Sequence, residues 1–98
     1  MASNFTIRQR RRRGVLHIKL GGDFDGSSAY ELNHCLQNAL KQDRRVIVQT
    51  DGLASLSAFG RAMFQKQFSS PPKIARQVMF NGDYAHEIAP DGCARAQG

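Results

Sequence analysis

At 98 residues, 41% of them apolar and none of them Trp, the chain has length for one domain with a core of Phe, Leu, Ile, Val and Met. The net charge is +6, but Arg10, Arg11, Arg12 and Arg13 supply four positive charges in a row, so the basicity is local rather than general. No apolar run reaches the roughly 18 residues that a membrane-crossing helix needs, and Met1-Ala2-Ser3-Asn4 lacks the apolar stretch of a secretory signal, so a cytoplasmic address and no membrane insertion are expected.

Phe5-Thr6-Ile7-Arg8 alternates apolar and polar residues, and after the arginine run Leu16, Ile18 and Leu20 alternate with Val15, His17 and Lys19. The spacing predicts two strands joined by a tight basic connection, with Gly14 supplying the turn. Gly21-Gly22 is expected to loosen the chain ahead of Asp23-Phe24-Asp25-Gly26. A first helix is then predicted from a Ser28–Glu31 capping box, with Ala29, Leu32, Leu36, Ala39 and Leu40 as its apolar stripe and Lys41 at the negative end of its dipole. Asp23 and Asp25 suit capping of that helix better than acid–base work.

Val46-Ile47-Val48 predicts a strand buried on both faces, broken by Asp51-Gly52. A second helix is predicted from near Ser57, carrying Phe59, Ala62, Met63 and Phe68, and stopped at Ser69-Ser70-Pro71-Pro72. Gln77 to Phe80 predicts another short strand closed by Asn81-Gly82. Asp83 is expected to cap a short third helix from Tyr84 to Ala89, ended by Pro90. The order β-β-α-β-α-β-α implies an α/β fold: a mostly parallel sheet with an N-terminal hairpin strand and helices packed on it. One domain is expected over residues 5–90, with a small, polar, disordered tail over 91–98.

Little in the sequence points to catalysis. His17, His34 and His86 fall on different predicted elements, without partners at metal or triad spacing. Cys35 and Cys93 fit no disulfide framework or metal spacing and read as free thiols. The glycines near Asp23 form neither a dinucleotide fingerprint nor a phosphate loop. No enzyme, metal or cofactor is therefore expected.

Two segments carry a family resemblance. Leu20-Gly21-Gly22-Asp23-Phe24-Asp25-Gly26-Ser27-Ser28-Ala29, continued by Glu31-Leu32, is similar to the first strand-to-helix segment of the STAS domains of bacterial anti-sigma-factor antagonists. Val46-Ile47-Val48, Gly52-Leu53 and Leu56-Ser57-Ala58-Phe59-Gly60 resemble that family's strand, its Gly-hydrophobic turn and its loop of the form hydrophobic-Asp-Ser-Ser/Thr-Gly. In this register the family's Asp is Ser57, its phosphoacceptor Ser is Ala58, the following hydroxyl residue is Phe59, and Arg61 follows the glycine. Gln49 stands where an Asp often ends the strand, and the family's final strand and helix look vestigial.

The resemblance implies a regulatory protein-binding module whose partner is an anti-sigma factor of the serine-kinase type or a related regulator. Contacts would come from Ser55, Ser57, Ala58, Phe59, Gly60 and Arg61, with Phe24 and Asp25 beside them. In the family, phosphorylation of the loop serine breaks the complex. Ala58 has no hydroxyl, so a constitutive binder or scaffold is expected, with Ser57 and Ser55 as the nearby alternative phosphosites. Phe59 is spaced with Ala62 and Met63 as a core residue would be, yet its place in the loop also makes it a candidate contact. Arg61 reads either as solvated or as an anchor.

Two other readings stay open. The chain could serve as an accessory subunit of a lipid-transport or stressosome-type assembly. Alternatively, Arg8 and Arg10 to Arg13 could make it a nucleic-acid-binding module through charge. That run lacks interleaved aromatics for base stacking, and in a hairpin it also serves as a charged edge that discourages aggregation.

Overall fold

The computed structural model describes residues 4–42, 45–68, 77–89 and 94–96. Strands β1 (Thr6–Arg12), β2 (Val15–Phe24), β3 (Arg45–Leu56), β4 (Val78–Asn81) and β5 (Ala94–Ala96) form one five-stranded sheet in the order β1-β2-β3-β4-β5. β1 pairs antiparallel with β2, and every later neighbour is parallel. Helices α1 (Gly26–Lys41), α2 (Ala58–Gln67) and α3 (Ala85–Ile88) occupy the connections.

The hairpin follows from its turn residues. Arg12 pairs with Val15, which leaves a two-residue loop in which Arg13 (φ 52°) and Gly14 (φ 78°) both adopt positive φ. Such primed turns match the twist of the strands they join, and glycine takes this conformation without steric cost.

One face of the sheet is covered and the other is open. Leu16, Ile18 and Leu20 of β2, Val46 and Val48 of β3, and Val78 and Phe80 of β4 are buried. Their alternates, Val15, His17, Lys19, Arg45, Ile47, Gln49 and Met79, are half-buried or exposed. Because side chains alternate along a strand, the described helices lie on the first face. The expectation that Val46-Ile47-Val48 is buried on both faces is thus corrected, since Ile47 faces outward.

The apolar stripe of α1 lies as predicted, with Ala29, Leu32, Leu36 and Ala39 buried and Leu40 partly so. The stripe of α2 does not. Gly60, Phe64 and Phe68 are buried, Met63 is half-buried, and Phe59 and Ala62 face solvent. Phe64 is the hub of the core: its ring meets Phe24 at 6.2 Å and Phe80 at 5.9 Å edge-on, and it stacks on Phe68 at 5.4 Å. These are favoured aromatic geometries.

Two expected breaks are paired strand. Gly21-Gly22 and Asp51-Gly52 lie inside β2 and β3, where Gly21 pairs with Gly52 and Gly22 with Leu53. Two register shifts, at Lys19/Gly21 and Gly22/Asp23, each place an extra residue in β3. Bulges of this kind bend a strand and re-aim the chain beyond it. Gly52-Leu53 is consequently not a turn, and the strand continues to Leu56.

Of the two capping readings for α1, Asp25 is the N-cap as expected, accepting from the Ser28 N–H at 3.0 Å, and the Ser28–Glu31 box is not the cap. Tyr84, not Asp83, precedes α3, with no side-chain cap. The turn before α3 is held instead by buried Thr50, whose hydroxyl donates to the Asn81 carbonyl (2.9 Å) and accepts from the Tyr84 N–H (3.0 Å). The expected tail also contains structure: Ala94 to Ala96 pair in parallel with β4 as the last strand, so the sheet extends past residue 90. Cys93 and the predicted stop at residues 69–72 lie outside the described residues.

Candidate functional site

The bulged ends of β2 and β3 stop together, Phe24 opposite Leu56, and each leads directly into a helix. This brings the starts of α1 and α2 side by side. The Ser57 N–H donates to the Phe24 carbonyl at 2.9 Å. Ser57 then caps α2, its hydroxyl accepting from the Gly60 N–H at 2.9 Å and its carbonyl accepting from the Arg61 N–H at 3.0 Å. A side-chain acceptor at this position satisfies a donor that the helix leaves free.

The neighbouring cap is denser. Asp25 Oδ1 accepts from the Ser28 N–H and from the hydroxyls of Ser27 (2.9 Å) and Ser28 (3.0 Å). The Ser28 N–H, followed by the two hydroxyls, holds the Asp25 carboxyl below its ordinary value of 3.8, because these bonds favour the charged form. Ser55 Oγ donates to Asp23 Oδ1 at 2.6 Å, which ties β3 to β2 ahead of both helices.

Two glycines set how closely the helices meet. A Cβ on Gly60 would lie 2.7 to 2.9 Å from backbone atoms of Asp25. One on Gly26 would lie 2.8 Å from Cε2 of Phe59. The Phe59 ring therefore rests on the bare backbone of Gly26, yet it remains 68% exposed. That exposure settles the two readings of Phe59: it is not core. Tyr30, one helical turn beyond Gly26, is 63% exposed.

The structure thus gathers Phe24, Asp25, Ser55, Ser57, Ala58, Phe59, Gly60 and Arg61 at one corner. They are not equivalent there. Phe24 is buried in the core, and Gly60 is buried between the helix starts. Asp25 and Ser57 are caps, while Ala58, Phe59 and Arg61 are exposed. Gly26 and Tyr30 are corner residues that sequence pattern alone does not single out. Tyr30 stands one position off the α1 stripe, and that offset is the available signal.

The arginine run lies elsewhere. Arg8, Arg10, Arg11 and Arg12 are on β1 and Arg13 is in the turn, all exposed. Of the other chemistry-bearing groups, Cys35 is a half-buried free thiol whose pKa burial pushes above its ordinary 9.0, so little of it is thiolate at neutral pH. Among the described residues, no three His, Cys, Asp or Glu side chains group as metal ligands. Likewise, no described helix is long and apolar enough to cross a membrane.

No family model matches the chain, and no curated protein matches it in sequence. Solved structures do. An anti-sigma factor antagonist from Mycobacterium paratuberculosis superposes with a TM-score of 0.63 at 12% identity, over 84% of this chain and 71% of that one. The unphosphorylated form of the anti-sigma factor antagonist SpoIIAA gives 0.55 at 13% identity, over 79% and 71%. A protein with a SpoIIAA-like fold from Shewanella loihica gives 0.64 at 14% identity, over 100% of this chain and 88% of that one. The chain has the SpoIIAA-like, or STAS, fold.

Proposed function

We propose that the chain is a cytoplasmic, non-enzymatic regulatory module that binds a protein partner through the corner where α1 and α2 begin. The observation that carries this reading is Phe59, an aromatic side chain left exposed beside two helix starts that are both held by side-chain caps. An exposed large aromatic on a rigid support is the kind of residue that anchors protein interfaces. Ala58 and Arg61, both exposed, stand near it in the first turns of α2.

The fold supports a partner of the class bound by anti-sigma factor antagonists, an anti-sigma factor of the serine-kinase type or a related regulator. Ala58 occupies the first turn of α2 with no hydroxyl to modify, so association is constitutive, as suits a scaffold. The hydroxyls of Ser55 and Ser57 are both engaged, one as a donor to Asp23 and the other as the cap of α2. The accessory-subunit reading uses the same surface and differs only in what is bound.

The test is affinity purification from the source cell, with identification of the retained protein. The partner, once identified, is then incubated with the chain and ATP, and the chain is weighed by mass spectrometry. The expected result is a regulatory protein retained and no added phosphate. Stoichiometric phosphate on Ser55 or Ser57 would overturn the constitutive reading, and retention of nothing beyond background would overturn the partner reading.

A further inference from the structure

The corner leaves the arginine run unexplained, and the strand register shows what that run builds. Ile7 packs against the core, so the alternate positions Arg8, Arg10 and Arg12 project from the opposite, open face of the sheet. Arg8 pairs with Lys19, Arg10 with His17, and Arg12 with Val15. Arg45 stands beside Val15 in turn, and Gln49 beside Lys19. A groove of about 500 Å³ runs along this face, lined by Arg8, Arg10, Arg12, His17, Lys19 and Gln49 together with Gln9, and among the described residues no acidic side chain lines it.

From these positions we infer that the open sheet face is a docking surface for the phosphate backbone of a single-stranded nucleic acid, bound without regard to base sequence. This site is separate from the partner corner and does not depend on it. Two features select the occupant. First, Arg8, Arg10 and Arg12 occupy alternate positions of one strand, so their backbone positions form a row with roughly 6.8 Å between neighbours, twice the rise per residue of an antiparallel strand. A row of that kind matches a linear polyanion better than a compact acidic patch, and guanidinium binds phosphate with paired hydrogen bonds.

Second, the face offers a protein partner little apolar area. Val15 and Ile47 are half-buried, and Met79 is the one large apolar side chain exposed there among the described residues. A second copy of this chain would set arginine against arginine. Among the described residues the face bears no Phe, Tyr or Trp, so the contact rests on charge alone, without the base stacking that other single-strand binders add.

The test titrates the intact chain against a fluorescein-labelled thymidine 20-mer, following anisotropy at several salt concentrations. With three to four phosphates contacted, the logarithm of affinity falls against the logarithm of salt with a slope of about −2 to −3. Binding then weakens by a factor of roughly 16 to 64 between 50 and 200 mM salt. Each of Arg8→Ser, Arg10→Ser and Arg12→Ser lowers affinity about eightfold at 50 mM salt and reduces the slope by about 0.7. Lys41→Ser removes the same charge from the end of α1 and changes affinity less than about twofold. Circular dichroism checks that each variant is folded.

An equal loss from Lys41→Ser would show that binding tracks total charge and would overturn the inference. Equal competition by polyglutamate of matched charge would assign the face to an acidic protein. Tighter binding to phosphatidylglycerol vesicles than to the oligonucleotide would assign it to a membrane surface. Either outcome overturns the nucleic-acid assignment.

Discussion

The corner at the starts of α1 and α2 and the open face of the sheet are both exposed, but they are held in opposite ways. At the corner, caps and the close-packed Gly26 and Gly60 hold the backbone, and the Phe59 ring stands exposed above them. On the open face, strand pairing alone sets the spacing of the cations, whose long side chains end in solvent. A preorganised apolar contact favours shape-specific recognition of one partner. A flexible charged row favours polyanions of any sequence and weakens with salt. One small sheet can therefore present a selective surface at its C-terminal edge and an unselective one on its back.

If this division is correct, substitutions that disturb the corner's supports should be costly, while those at either exposed surface should leave the fold alone. The largest effect is expected at Phe64, which is fully buried and meets three other phenyl rings. Phe64→Ala should cost about 3–5 kcal/mol in chemical denaturation, a large fraction of a small domain's stability. A loss under about 1 kcal/mol would show that the core does not converge on this ring.

Gly60→Ala comes next. The added methyl meets Asp25 backbone rather than a side chain that can move, so a loss of about 1–3 kcal/mol is expected. Partner binding should fall with it, because the helix starts must separate. If Gly60→Ala were neutral, the two helices would not be seated as tightly as the corner reading requires.

A smaller effect concerns acid. The folded Asp25 carboxyl titrates below its ordinary 3.8, so its contribution is fully present above that value and is lost as pH falls through the lower folded value. Asp25→Asn preserves a good cap while removing the charge. Its stability near neutral pH should stay close to that of the parent, and the acid limb below pH 3.8 should flatten. An unchanged acid limb would mean that the carboxylate is not what the Ser27 and Ser28 hydroxyls hold. The smallest stability effect is expected for Phe59→Ser, within about 0.5 kcal/mol, since the ring is largely exposed.

How much of this the sequence showed depended on how local the determining contacts are. The α1 stripe was legible because Ala29, Leu32, Leu36 and Ala39 recur on one helix face, and the hairpin was legible because Gly14 sits between two alternating runs. In α2 the same periodicity admitted a second register, and only the close approach of Gly60 to Asp25 turns Phe64 inward and Phe59 outward. Gly21-Gly22 and Asp51-Gly52 read as breaks because neither segment alone reveals that the other pairs with it across the bulges. Ala94-Arg95-Ala96 has no strand pattern, and its pairing with β4 is a property of the sheet. The candidate contacts at the corner were named through the family resemblance, which did not single out Tyr30, whereas the arginine row became a surface only once register placed Arg8 beside Lys19, Arg10 beside His17 and Arg12 beside Val15.

On the reading proposed above, the corner binds a protein partner through Phe59 without a phosphate switch. The most direct measurement is calorimetric titration of the copurified partner against the parent chain and Phe59→Ser, each with and without ATP. The expected result is an affinity at least about tenfold weaker for Phe59→Ser, in keeping with loss of an aromatic anchor, and no change on adding ATP for either protein. Equal affinity of the two chains, or release of the parent chain by ATP, would contradict it.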